Sequence, residues 1–322
     1  MKDIIPLKMP FTLNIDPTNY CNYKCVFCAR HLPDFMKHAG KLCHMDMDLF
    51  DKIADELKTW GQIKSLKFYY IGEPFLNPNF LNMLEKAINF NISERIEITT
   101  NGTMLYPDIS EKLVHVSKNY SGALYLRVSV SSIFQKKHFE LTKSQIPVTR
   151  IRDNVLNLRK IRDSQKANNL FIYAKMIDTF SDENQDFINY YRNVADEAVV
   201  EEPMNWNGFE EHPLLNNLYS DKPDLKIKIT RNLRKTCPYP FYTMAITSDG
   251  DVVCCCVDWN KQTKVGNVKE QSLKSIWLGE RLKIFQELHL KGMRHLNSSC
   301  KNCETLFRCP KEDDIDTVSL LS

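Results

Sequence analysis

No apolar run in this chain approaches the roughly 20 residues that cross a bilayer, and the opening stretch, MKDIIPLKMP, lacks the apolar core of a signal peptide. Both absences predict a cytoplasmic protein with no membrane partner. An excess of one charge is missing too. Lys and Arg number 43 against 40 Asp and Glu, so no overall field steers the molecule toward nucleic acid or an anionic surface. Local basic stretches such as RNLRK and ERLKIF read as solvated faces, and a nucleic-acid partner is not expected. There is no low-complexity segment, and no internal repeat beyond an alternation of strands and helices. The 322 residues are 43% hydrophobic and 11% aromatic, enough to bury the core of one large domain and a smaller one.

Cysteine is absent from the middle of the chain. Cys21, Cys25 and Cys28 crowd the start, Cys43 stands alone, and Cys237, Cys254, Cys255, Cys256, Cys300, Cys303 and Cys309 lie near the end. In a reducing cytoplasm these eleven thiols are free or metal-bound and do not form a disulfide framework.

The cysteine-free stretch alternates short β-rich runs with longer amphipathic ones. FTLNID is followed by DLFDKIADELKTW, IKSLKFYYI by FLNMLEKAINF, and RIEITT by ISEKLVHVSKN. ALYLRVSV then precedes IRDNVLNLRKIRD, LFIYAKMI precedes ENQDFINYYRNVA, and EAVVEEP closes the series. Such alternation predicts an α/β fold of about six βα units, an open or partial barrel with its chemistry at the carboxyl ends of the strands.

CNYKCVFC (Cys21 to Cys28) follows the first of these strands directly. Three sulfurs at C-x3-C-x2-C can hold three irons of a [4Fe–4S] cube and leave the fourth iron open. A structural zinc would need a fourth ligand, for which His31 or Cys43 is within sequence reach. Farther on, TCPYPFYTMAITSDGDVVCCCVDW reads as a hairpin turning at Ser248-Asp249-Gly250. SLKSIWLGERLKIFQELHLKGM reads as an amphipathic helix leading to CKNC at Cys300 and Cys303. Paired cysteines on a hairpin and a knuckle suit a zinc ribbon as well as an iron–sulfur cluster.

CNYKCVFC, with Phe27 before its last cysteine, resembles the cluster loop of the radical S-adenosylmethionine (radical SAM) enzymes. IGEP (Ile71 to Pro74) is similar to the family's Gly-Gly-Glu-Pro segment, with Ile71 in place of the first glycine. The resemblance implies that Gly72, Glu73 and Pro74 hold the amino group of the cofactor's methionine moiety. TTNGTML, containing Thr100 and Asn101, also stands where the family has a cofactor-facing segment. Ser129 and Ser131 occupy the strand end where similar enzymes place a serine or an acid near the ribose, and Lys175 is a candidate for the cofactor's carboxylate. The C-x12-G-x4-C pattern followed by C-x2-C resembles the auxiliary-cluster domain called SPASM, or its shortened twitch form. That implies Cys237, Cys255, Cys300 and Cys303 as ligands of a second [4Fe–4S] cluster. A full SPASM domain would have a further cysteine where Asp313 stands, so one auxiliary cluster is expected, with Cys309 left over.

These resemblances imply a partial (β/α)6 TIM-like barrel over residues 1–215, a small α+β auxiliary domain over 216–310, and a mobile tail over 311–322. They also imply two [4Fe–4S] clusters, S-adenosylmethionine, and an electron donor of flavodoxin or ferredoxin type. The implied chemistry is reductive cleavage of S-adenosylmethionine to a 5′-deoxyadenosyl radical, which abstracts hydrogen from a substrate carbon. On strand alternation, Cys254 and Cys256 point away from Cys255. In similar enzymes the residue after this ligand can face the substrate as a base or a hydrogen donor, which implies Cys256 as a candidate hydrogen-atom donor and Asp258, two residues on, as a candidate base. Fewer than 21 residues precede the first ligand, which disfavours an enzyme that reads a leader peptide. Small hydroxylated compounds of aminocyclitol or sugar type are the expected substrates, with dehydrogenation or epimerisation as the outcome. Modification of a ribosomally made peptide or protein, and a non-catalytic zinc module, are the alternatives.

Overall fold

The computed structural model describes residues 1–32, 35–203 and 234–318, except for the side chains of His31, Phe307 and Arg308. The sequence series is realised as six parallel strands: β1 (Thr12–Ile15), β2 (Ser65–Phe68), β3 (Arg95–Thr100), β4 (Ala123–Ser129), β5 (Leu170–Ile177) and β6 (Glu197–Glu201). They lie in chain order, each parallel to the next, as in a partial (β/α)6 barrel. One set of alternate residues (Leu13, Leu66, Phe68, Ile96, Ile98, Leu124, Leu126, Ile172) is buried against the covering helices.

Helix α1 (Met47–Trp60) shows how local chemistry bounds these helices. The Asp46 carboxylate accepts the Leu49 N–H at 2.7 Å, and the chain leaves the helix at Gly61. Its buried face brings Phe50 to Phe68, which in turn meets Phe80 of α2 (Phe80–Asn89), with ring centres 6.0 and 5.3 Å apart. Truncating any of these rings to Ala would cost about 3–5 kcal/mol.

The C-terminal strands do not form a separate sheet. β7 (Thr243–Ile246) pairs in parallel with β1, Thr12 opposite Thr243 and Ile15 opposite Ile246. β8 (Asp251–Val253) and β9 (Lys264–Asn267) then continue antiparallel, giving one nine-stranded sheet. The expected hairpin is present, with Gly250 at φ +91° in its turn. The expected single helix is two, Leu273–Trp277 and Glu280–Leu290. Gly279, extended at ψ 156°, separates them and caps the second.

The boundary expected at residue 215 lies outside the described residues, as does most of RNLRK. Of the latter, Arg234 donates to the Pro310 carbonyl at 2.6 Å. Residues 311–318 are pinned to the body and are not a free tail. Tyr242 donates to Asp313 at 3.1 Å, Asp316 accepts the Thr236 N–H at 2.8 Å, and Ile315 is buried. Among the described residues no helix is long and apolar enough to cross a membrane.

Candidate active site

The three N-terminal cysteines sit in the loop after β1. The loop is fastened from several sides. Asn19 donates to the Lys41 carbonyl at 3.1 Å and accepts the Cys43 N–H at 2.7 Å. Lys24 and Val26 donate to the Thr142 and Leu141 carbonyls, both at 2.9 Å, at the end of helix α3 (Gln135–Thr142). The Tyr23 hydroxyl meets Nε2 of buried His138 at 3.3 Å. Within the loop, the Tyr23 N–H points at Sγ of Cys21 at 3.4 Å and the Cys28 N–H at the Cys25 carbonyl at 3.0 Å.

Burial, then the nearby Glu73, pushes the Cys21 thiol up to about 12, and burial with the neighbouring Cys28 and Cys21 raises Cys25 as well. Three crowded thiols of this kind ionise together only when cations arrive to be bound, which is the donor chemistry an iron–sulfur cluster requires. Cys43 is elsewhere: its thiol lies 3.4 Å from the Ser248 hydroxyl. The side chain of His31 lies outside the described residues.

Gly72 lies directly under this loop. A β-carbon there would come within 1.7 Å of the Thr18 carbonyl oxygen, and the next residue, Glu73, donates its N–H to the Tyr20 carbonyl at 2.8 Å. Glu73 is buried, and desolvation pushes its carboxyl up to about 7. It accepts from the Thr100 hydroxyl at 2.6 Å and the Asn101 N–H at 2.7 Å. Glu73 therefore ties the end of β2 to the end of β3. Asn101 also donates to Oδ1 of Asn22 at 2.7 Å, and Asn22 donates to the Thr103 hydroxyl at 2.8 Å. The GEP and TNG segments and the cysteine loop are thus one hydrogen-bonded unit, with Pro74 buried behind it and Phe27 half-buried. Ser129 and Ser131 are half-buried at the end of β4. Lys175 is paired at 2.9 Å with Glu201, so it does not stand free for a cofactor carboxylate.

The sheet's inner face carries side chains that the strand pattern alone did not single out. Glu97 meets Lys67, Arg95 and Arg127 at 3.6, 3.0 and 3.8 Å, and Arg127 also pairs with Glu201. Tyr125 stacks on Phe171 at 5.0 Å and Arg95 lies over its ring at 4.0 Å. The available signal was the alternation within SLKF, RIEITT, ALYLRVS and LFIYAKMI, which puts every second residue on this polar face.

Cys237, Cys255, Cys300 and Cys303 together line one small cavity with Asp258, His289, Arg294 and Ser299. Among the described residues no His, Cys, Asp and Glu group closes to the spacing of a single metal ion; the four thiols instead surround a space. Desolvation, then the neighbouring Cys237 and Cys303, raises Cys300. The Arg294 guanidinium donates to the carbonyls of Cys300 and, at 3.4 Å, Cys303. His289 is buried with neither ring nitrogen partnered, and burial followed by the Arg294 charge pushes it down to about 4. An unsatisfied buried polar group costs about 1–3 kcal/mol, so its persistence beside four thiols points to a group that occupies the cavity.

The CCC stretch departs from the alternation expected of it. β8 ends at Val253, next to a register shift at Val252/Val253, so the cysteines lie in a turn. Cys254 is fully buried and its thiol lies 3.4 Å from the Thr263 carbonyl. The neighbouring Cys256 thiol, then burial, raises Cys255, whereas the Cys255 thiol, with the Lys67 charge and the Tyr69 hydroxyl, lowers Cys256. Cys256 packs against the apolar cluster that contains Phe35, Tyr70 and Trp259.

Asp258 does not stand as an open base. Its carboxylate accepts from the Gln262 N–H (3.1 Å), the Thr263 N–H (2.6 Å) and hydroxyl (2.7 Å), and the Ser299 hydroxyl (2.6 Å). It fastens the CCC turn to the segment carrying Cys300. Cys309 is buried, its thiol 3.3 Å from the Thr305 carbonyl, and it raises the neighbouring Cys237 thiol.

Comparison with known proteins finds two family models in the chain. The family model of the radical SAM superfamily matches residues 15–173, and that of SPASM, an iron–sulfur cluster-binding domain, matches residues 237–304. The chain is 26% identical to the tungsten-containing aldehyde ferredoxin oxidoreductase cofactor-modifying protein of Pyrococcus furiosus, over 94% of this chain and 90% of that one. It is 19% identical to the S-adenosyl-L-methionine-dependent 2-deoxy-scyllo-inosamine dehydrogenase of Niallia circulans, over 91% and 92%. Among solved structures, SuiB of Streptococcus suis bound to its precursor peptide SuiA superposes with a TM-score of 0.65 at 18% identity, covering 96% of this chain and 72% of that one. BtrN in complex with AdoMet and 2-DOIA superposes with a TM-score of 0.59 at 17% identity, covering 92% and 93%. The two domains bring S-adenosylmethionine and two [4Fe–4S] clusters as cofactors. This chain belongs to the radical SAM superfamily, and it carries a SPASM-type auxiliary-cluster domain at its C-terminal end.

Proposed function

We propose that this enzyme dehydrogenates a small hydroxylated compound of aminocyclitol or sugar type. The observation that carries the reading is the inner face of the strand array. There Lys67, Glu97, Arg127, Lys175 and Glu201 form a continuous network of charged donors and acceptors. A face of this composition recognises hydroxyl and amino groups by hydrogen bonds, whereas an apolar substrate would strip water from these charges and give no hydrogen bond in return. The dehydrogenase named among the relatives is in line with this class.

Cys21, Cys25 and Cys28 would hold the cluster that binds S-adenosylmethionine; Cys237, Cys255, Cys300 and Cys303 would hold the second. Bound to the reduced first cluster, S-adenosylmethionine is a source of a 5′-deoxyadenosyl radical that takes hydrogen from carbon. Gly72, Glu73, Pro74 and Asn101 shape the cofactor's cradle, with Phe27, Ser129 and Ser131 along its rim. Lys67 and Tyr69, which act on the Cys256 thiol, would orient the substrate together with it. Residues 1–215 would then form the catalytic domain and 216–310 the auxiliary domain. Reduction would come from a flavodoxin or ferredoxin in the cytoplasm.

The test is anaerobic incubation of the reconstituted enzyme with S-adenosylmethionine, a reductant and aminocyclitols or sugars deuterated at their carbinol carbons. Deuterium in 5′-deoxyadenosine and a product lighter by one substrate deuterium and one hydrogen support dehydrogenation. Solvent hydrogen at a carbon of inverted configuration identifies epimerisation, the outcome expected if Cys256 donates a hydrogen atom to the opposite face. Deuterium transfer from a peptide and from none of these compounds would overturn the reading.

A further inference from the structure

The auxiliary cavity holds a feature that its four thiols do not account for. His289 is 1% exposed, lines that cavity, and has no partner at either ring nitrogen. It lies on the helix Glu280–Leu290, one turn after Phe285, whose ring is tilted against it at 4.8 Å. One turn of that helix is anchored by Gln286, which donates to the Pro240 carbonyl at 2.9 Å. The imidazole is thus held in place by packing while its polar atoms have nothing to bond. A neutral ring offers one N–H donor and one acceptor, and four cysteines already complete the ligand set of a cube.

We propose that His289 donates its ring N–H to a sulfur of the auxiliary cluster and so raises that cluster's reduction potential, acting as a positioning and tuning residue and not as a ligand. The inference rests on the assignment of Cys237, Cys255, Cys300 and Cys303 to that cluster. A hydrogen bond to a cluster sulfur draws off negative charge and favours the reduced state. Arg294, donating to the Cys300 and Cys303 carbonyls, adds a positive charge beside the same cavity. The two together suit a cluster that accepts an electron when a substrate is dehydrogenated.

The experiment uses the full-length Cys21→Ala, Cys25→Ala, Cys28→Ala variant, in which only the auxiliary cluster remains. Its midpoint is read by electron paramagnetic resonance during a redox titration. His289→Phe keeps the ring's packing and removes the N–H; His289→Gln keeps a donor. The expected result is a lower midpoint in His289→Phe, equivalent to a roughly tenfold smaller reduced fraction at fixed poise, with most of the shift restored in His289→Gln. Histidine labelled with nitrogen-15 should show a weak coupling to the reduced cluster, lost in both variants.

An unchanged midpoint in iron-replete His289→Phe overturns the proposal, as does a strong coupling of the kind a direct ligand gives. If His289→Phe fails to hold iron, the labelled protein with His289 intact decides alone, and no weak coupling overturns the proposal. Absence of iron from the triple variant itself would overturn the cluster assignment, a result distinct from four irons with an unchanged midpoint.

Discussion

A β-carbon on Gly72 would lie 1.7 Å from the carbonyl oxygen of Thr18. Glycine at this position is therefore a condition for the GEP segment to lie under the cysteine loop, where the Glu73 N–H reaches the Tyr20 carbonyl at 2.8 Å. Gly72→Ala must push the two backbones apart. The expected cost is at least ~2 kcal/mol of stability, with loss of S-adenosylmethionine binding and of about half the iron. Calorimetric binding and iron analysis check both.

Asp16 is expected to make the cofactor-free protein less stable as pH rises. It is buried, and desolvation, partly offset by backbone N–H groups including that of Gly72, pushes its carboxyl up to about 7. The neutral form is favoured in the fold, so the folded state holds the proton between about pH 4 and pH 7 while the unfolded chain gives it up. Over that window stability falls with rising pH, by on the order of 4 kcal/mol in total. Asp16→Asn should remove this share of the slope, leaving the share of Glu73, whose buried carboxyl is raised to about 7 as well, and should be the more stable protein at pH 8. Denaturant unfolding at pH 5 and pH 8 measures it.

Asp258 has a structural job by the geometry above. Asp258→Ala strands four donors, two of them from Thr263, and should cost about 3–5 kcal/mol with loss of iron from the auxiliary site. Asp258→Asn should keep most of the iron and leave the pH–rate profile unshifted. A shifted profile with full iron would mean that Asp258 is a base after all.

Glu97 is the hub of the inner face. Glu97→Gln leaves Lys67, Arg95 and Arg127 uncompensated, and is expected to lower thermal stability and to reduce kcat/KM for a hydroxylated substrate by roughly 10–100-fold, an effect of about 1.4–2.7 kcal/mol. Steady-state kinetics alongside a thermal melt separates the two effects.

The strand series was legible because each parallel strand has a face that packs on helices, as Leu66 and Phe68 do. Its inner face was less so. Parallel strands are commonly apolar on both sides, so Lys67, Glu97 and Arg127 could pass for ordinary polar alternation until their mutual distances were known. Pairing of β7 with β1 joins residues more than two hundred positions apart, and no local pattern encodes it. Cysteine spacing did reveal the two thiol groups, since C-x3-C-x2-C and C-x12-G-x4-C are local. The CCC alternation misled because a strand's period holds only within the strand, and β8 ends at Val253. His289 carried no sequence signal at all: a histidine on an amphipathic helix shows its lack of partners only in three dimensions.

The account turns on which thiols hold which cluster, and iron with acid-labile sulfide, counted anaerobically, reports this most directly. The count would be made on the intact chain and on two variants, one with Cys21, Cys25 and Cys28 changed to Ala and one with Cys237, Cys255, Cys300 and Cys303 changed to Ala. About eight irons falling to about four in each variant is the expected result. Zinc in place of iron, or one variant losing all of the iron, would contradict the two-cluster assignment.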